Sequence, residues 1–152
     1  GYNKFSPKRI ILDKNLDIKL TSYIFQSAKK GNTNLFYHTS NTKKIKVLKK
    51  KGFTLIKTKL NNEGLLDLKI VLKKLFTLGT RSLLVEGGDK ISKSLIKNRL
   101  IDTFYLFQSP KILRVNKINQ GFTSFGVLNG KYKKVSKITS KLAKDNITIY
   151  KR

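Results

Sequence analysis

The sequence predicts an α/β fold with a mostly parallel sheet and antiparallel strands at its C-terminal end, and three observations predict it. Short, β-branched apolar runs alternate with helical segments as far as Asn98. Leu68, Val71, Leu72 and Leu75 stand at i, i+3, i+4 and i+7, the spacing of one buried helical stripe. From Asp102 onward the alternation gives way to aromatic and strand-like runs. Alternation of strand and helix makes neighbouring strands parallel, because the chain must cross a face of the sheet between them.

The first element after Pro7 is the run from Arg9 to Asp13, a buried strand ending on an acid. Residues 19–29 carry a weak helical signal that Gly31-Asn32 breaks. Leu35-Phe36-Tyr37 reads as the second strand, Thr42 to Lys50 as a basic helix with Ile45 and Leu48 inward and Gly52 as its stop, and Thr54 to Thr58 as the third strand. The striped helix follows Asn62-Glu63-Gly64 and ends near Gly79. Ser82 to Glu86 is a continuous apolar run of the kind found in a sheet covered on both faces, and Gly87-Gly88 interrupts it. Asp89 suits a helix cap, and Ile91, Leu95 and Ile96 supply the stripe of a helix through Asn98. Phe104 to Phe107 reads as a strand ended by Pro110, and Val115 to Gly130, with Gly121, Gly126 and little periodicity, as a loop. Tyr132 to Ile138 and Ile147 to Tyr150 form an antiparallel pair around a turn at Asp145-Asn146.

A chain of 152 residues with 39% hydrophobic content supports one compact unit with a proper core. No apolar run approaches the roughly 18 residues that span a bilayer, and GYNKFSPKR lacks the apolar stretch of a secretory signal, so a soluble cytoplasmic protein is expected. With no cysteine and His38 as the sole histidine, disulfides, thiolate chemistry and multi-histidine metal clusters are excluded. The chain begins at Gly1 and enters a strand almost at once, which is the expectation for a fragment of a longer protein.

The formal net charge of +26 points toward nucleic acid at first sight, since basic faces gain affinity by displacing counterions from phosphates. The distribution argues otherwise. Only Arg9, Arg81, Arg99, Arg114 and Arg152 are arginines, and the lysines are scattered along every segment, as on a solvated surface. The densest run, Lys43, Lys44, Lys46, Lys49, Lys50 and Lys51, reads as one exposed helix face. No helix-turn-helix, RNA-recognition or zinc motif accompanies it, so a basic nucleic-acid-binding module ranks below an enzyme. The field would still draw anionic ligands.

Chemistry concentrates at Val85-Glu86-Gly87-Gly88-Asp89-Lys90, where a carboxylate and two glycines lead into a helix. Ligands of open α/β sheets bind beyond the carboxyl ends of strands. Glycines let backbone approach a ligand, and the first N–H groups of a helix favour a phosphate. The spacing matches neither the Gly-x-Gly-x-x-Gly fingerprint nor a Walker loop. A tight strand-to-helix turn with Glu86 in solvent explains the pattern equally well.

Taken as one stretch, LGTRSLLVEGGDKISKSLIKNRLIDTFYLFQSPKIL resembles the reductase family of riboflavin biosynthesis, through Val85 to Gly88, Ile101-Asp102 and Pro110-Lys111. SPKRIILDKNLDI, residues 6–18, resembles the family's Pro-x-Arg-x-Val-x-Asp strand, and DNITIYKR its last strand. The resemblance implies a dihydrofolate-reductase-like α/β/α sandwich and an NADPH-dependent reduction of 5-amino-6-(5-phosphoribosylamino)uracil to the ribitylamino form. It further implies that Glu86 contacts substrate and that the stretch Gly88, Asp89, Lys90, Ile91, Ser92, Lys93 and Ser94 wraps the cofactor's phosphates. The family has Ser or Thr after the strand's aspartate, where this chain has Lys14, a residue able to pair with the 2′-phosphate of NADPH. Residues 1–152 would then be a partial reductase domain, without the family's N-terminal substrate loops and without a zinc deaminase domain. The family's domains pair as homodimers and take a phosphorylated ribosylaminopyrimidine. A pterin or other pyrimidine reductase of the same fold is the alternative within enzymes.

Two further features read as structural. His38 ends an apolar strand with no carboxylate near it in sequence, as a surface histidine would. Phe104, Tyr105 and Phe107 suit a core or subunit contact better than a base-stacking platform.

Overall fold

A computed structural model describes residues 7–110, 122–139 and 145–152. Ser6 of the first motif, Lys111 of the Pro-Lys pair and the 115–121 part of the expected loop lie outside the described residues. The chain forms two compact units, Gly1–Arg81 and Ser82–Arg152.

The first unit runs β1 (Arg9–Leu12), α1 (Tyr23–Gln26), β2 (Thr33–Tyr37), α2 (Thr42–Lys51), β3 (Thr54–Lys57) and α3 (Leu68–Thr77). The three strands form a parallel sheet in the order β1-β2-β3, with Ile11 beside Leu35 and Leu35 beside Leu55. Side chains alternate across a strand, so the central strand feeds two cores. Leu35 and Tyr37 pack with Leu16, Ala28, Leu48 and Phe53 on one face. Phe36 packs with Leu66, Val71 and Leu75 of the α3 side on the other. This is why Leu35-Phe36-Tyr37 is apolar without alternation: both its faces are covered, and each fully buried side chain contributes roughly 1.5–3 kcal/mol.

Local signals set the helix ends. The Asn41 side chain accepts from the Lys44 amide at the start of α2, and Gly52 closes it at φ 106°, a left-handed conformation that favours glycine. Asp67 accepts from the Lys69 and Ile70 amides and starts α3. The helical signal over 19–29 yields a single turn, which Ser22 caps through the Phe25 amide.

The second unit contains α4 (Asp89–Lys97), β4 (Thr103–Gln108), α5 (Phe125–Lys131), β5 (Lys133–Thr139) and β6 (Asn146–Lys151). Its sheet is antiparallel in the order β4-β6-β5, with an irregularity between Lys134 and Ser136. The expected tail pair is therefore present and gains β4 as a third strand, Phe107 standing beside Ile147. Ile96, Leu106, Leu128, Tyr132 and Tyr150 form its core, while Tyr105, Phe107 and Ile138 face solvent.

Three expectations are corrected here. Ser82 to Glu86 takes no regular secondary structure, and Leu84 is 81% exposed. An apolar run supplies the side chains of a strand, but a strand exists only with a ladder partner, and none is formed here among the described residues. The expected loop contains α5. Gly126 and Gly130 each cost a helix about 1 kcal/mol relative to alanine, and the complete burial of Leu128 with the edge-on contact of Phe122 and Phe125 offsets that cost. Asp89 is not the cap of α4: Gly88 holds that position and Asp89 is the first helical residue.

Candidate functional site

The second unit presents the glycine-pair turn at the start of α4. Gly88 has extended backbone (φ −74°, ψ 180°) and no side chain, so no side-chain hydrogen bond caps the helix. The first intrahelical bond runs from the Ser92 amide to the Gly88 carbonyl at 3.2 Å. The amides of Asp89, Lys90 and Ile91 therefore have no intrahelical acceptor and sit at the positive end of the helix dipole. The two glycines do different work. A Cβ on Gly87 would collide with the Ile91 side chain, whereas one on Gly88 would meet nothing within 4 Å. Gly87 thus lets the chain pass close to the Ile91 side chain, and Gly88 leaves the approach to the open amides clear.

Of the stretch from Gly88 to Ser94, only the first turn offers backbone donors. From Ser92 the amides belong to the helix ladder, so Lys93 and Ser94 can reach a ligand only through their side chains. Lys90 and Lys93 are exposed and keep the neighbourhood cationic, while Ile91 is half-buried. Glu86 is exposed.

The Asp89 carboxylate turns to another element. It accepts from the Thr123 amide at 3.0 Å, the Thr123 hydroxyl at 2.6 Å and the Ser124 hydroxyl at 3.3 Å. The Thr123 bonds, with Ser124 and the charge of Lys93, hold its pKa below the ordinary aspartate value. The sequence holds no local trace of this contact, which spans more than thirty positions.

The first unit carries its own polar cluster where the parallel strands end. The Asp13 carboxylate accepts from the amides of Asp17 and Ile18, both at 2.8 Å, and shapes a loop in which buried Leu16 takes φ 62°. The Lys14 carbonyl accepts from the His38 and Thr39 amides, and its Nζ donates to the Gly64 carbonyl at 3.1 Å. Nδ1 of His38 lies 2.9 Å from the Thr58 carbonyl. His38 therefore ties two strand ends together, which its apolar sequence neighbourhood did not reveal.

The RibD C-terminal domain family matches residues 2–143. The chain belongs to the RibD C-terminal domain family. Its relatives include the riboflavin biosynthesis protein RibD of Actinobacillus pleuropneumoniae, 27% identical over 111 residues, covering 73% of this chain and 29% of the relative. The RibD of Aquifex aeolicus is 35% identical over 107 residues, covering 70% of this chain and 28% of the relative. The chain thus spans less than a third of the length of those proteins. Among solved structures, a pyrimidine reductase-like protein from Corynebacterium diphtheriae superposes with a TM-score of 0.69 at 18% identity, over 95% of this chain and 60% of that one. RibD of Acinetobacter baumannii gives 0.64 at 20% identity, over 95% and 37%. At such identities the likeness speaks for the fold, and it bears out the α/β, dihydrofolate-reductase-like class that the motifs imply. Among the described residues no helix is long and apolar enough to cross a membrane, and no group of His, Asp and Glu could hold a metal ion.

Proposed function

We propose that this RibD C-terminal domain is the reductase part of a riboflavin-biosynthesis enzyme, which reduces the ribosyl group of 5-amino-6-(5-phosphoribosylamino)uracil to the ribityl chain with NADPH. The observation that carries the reading is the family match over residues 2–143, joined to an uncapped helix start at Gly88 in the motif where the family binds its cofactor.

The residues present fit such a cofactor. Three amides without acceptors, a glycine that leaves their approach clear and exposed Lys90 and Lys93 suit a pyrophosphate, and charge on a phosphate strengthens each bond it accepts. When bound, NADPH supplies a hydride for C1′ of the opened, imine-like substrate. The protein contributes position and electrostatics. In this assignment Asp89, Lys90 and Ile91 bind phosphate through backbone N–H, Ser92, Lys93 and Ser94 through side chains, and Glu86 orients substrate hydroxyl or amine groups. The reading includes a homodimer acting in the cytoplasm.

Titrating the chain with NADPH and with NADH, followed by nicotinamide fluorescence, tests cofactor choice. Tighter binding of NADPH is expected; equal affinity, or no binding of either, overturns the assignment. Glu86→Gln in a reductase that turns over the aminouracil phosphate should lower kcat/KM while leaving NADPH affinity intact. Unchanged turnover would remove Glu86 from the substrate site.

A further inference from the structure

A carboxylate in the first turn of an uncapped helix has its own strongest attractor beside it. Open amides and the positive end of the dipole favour any nearby anion, and a side chain on the same turn competes at high effective concentration. Asp89 stands in that position on α4, a helix of nine residues, yet its carboxylate is engaged elsewhere. Among the described residues its hydrogen-bond donors are the Thr123 amide, the Thr123 hydroxyl and the Ser124 hydroxyl. Ser124 is 4% exposed and occupies the N-cap position of α5, where a serine hydroxyl ordinarily caps its own helix. It makes no capping bond there. Its hydroxyl reaches Asp89 instead.

We propose that Thr123 and Ser124 are positioning residues that latch the Asp89 carboxylate away from the mouth of α4, keeping the amides of Asp89, Lys90 and Ile91 open to the phosphates of the cofactor. The site is the one proposed above, and the inference rests on that reading. Asp89 then has a double character. Its backbone amide serves the anion, while its side chain is a competitor that the latch disarms.

The test is a comparison of three forms of the full chain: the natural sequence, Thr123→Val with Ser124→Ala, and those two changes combined with Asp89→Asn. The probes are NADPH, by nicotinamide fluorescence, and inorganic pyrophosphate, by NMR shifts of the Asp89, Lys90 and Ile91 amides. Removing the two hydroxyls, which leaves the Thr123 amide as the carboxylate's remaining donor, should weaken both ligands by about two- to fivefold, the scale of a loosened charge at a helix terminus. Adding Asp89→Asn should restore most of the affinity, because the competitor has gone. A role confined to folding would lower the melting temperature in both variants and produce no recovery. Unchanged affinity in the latch variant, or a combined variant no better than it, overturns the proposal. If pyrophosphate shifts the three amides in the natural sequence but NADPH does not bind, the cofactor reading fails and the latch is still decided by pyrophosphate. If neither ligand shifts those amides, both fall.

Discussion

The ring Nδ1 of His38 lies 2.9 Å from the carbonyl oxygen of Thr58, so the exit of the second strand is pinned to the exit of the third by a histidine that is otherwise exposed. A carbonyl only accepts, so Nδ1 carries the proton and Nε2 is the free position of the neutral ring. Nitrogen NMR should find the Nδ1–H tautomer. His38→Ala should cost about 1 kcal/mol in urea unfolding, the net worth of one hydrogen bond. The Nε2–H tautomer would remove this contact.

The loop after β1 depends on Asp13. Its two bonds to the Asp17 and Ile18 amides hold Leu16 in a left-handed conformation with its side chain buried. Asp13→Ala should therefore destabilise the chain by about 1–2 kcal/mol, comparable to loss of a helix cap. Asp13→Asn should recover part of this, since one amide oxygen remains to accept. Equal losses in the two variants would count against the hydrogen bonds as the cause.

Two glycines should respond oppositely to alanine. Gly52 has φ 106°, and a Cβ there would come within 2.9 Å of the Lys30 backbone nitrogen. Gly52→Ala should cost about 1–3 kcal/mol. Gly126 lies within α5, where a Cβ meets nothing within 4 Å, so Gly126→Ala should stabilise by about 0.5–1 kcal/mol. Paired urea titrations measure both signs.

Neighbouring positions on β4 should differ as strongly. Leu106 is 6% exposed in the second core, and Phe107 is 69% exposed on the opposite face. Leu106→Ala should cost about 2–4 kcal/mol by leaving a cavity. Phe107→Ala should change stability by less than about 0.5 kcal/mol. Similar losses at both positions would mean that the open face is covered in solution.

Acid should loosen the tie between α4 and the start of α5. The Asp89 pKa is lowered in the folded chain, chiefly by Thr123, so its contribution to stability is fully present above the unfolded value of about 3.9 and is lost as pH falls through the folded value. Asp89→Asn should flatten the stability profile across that acidic window and leave its slope near neutral pH unchanged. A profile identical to that of the natural sequence would dissociate Asp89 from the acid response.

What sequence alone determined in this protein is the part written within a few residues. The buried run of β2, the stripe Leu68, Val71, Leu72 and Leu75, the stop at Gly52 and the glycine pair before α4 all follow from periodicity and caps, and the structure contains each of them. The family was equally legible, because the motifs around Val85 to Gly88 and Arg9 to Asp13 are contiguous. Tertiary structure alone decided the rest. Ser82 to Glu86 has a strand's composition and no ladder, since hydrogen-bonding partners come from other segments. Phe125 to Lys131 has the glycines of a loop and becomes a helix because Leu128 reaches a core built by Leu106 and Tyr150. His38 and Asp89 took their roles from Thr58 and Thr123, 20 and 34 positions away, distances at which no local pattern constrains which side chains meet.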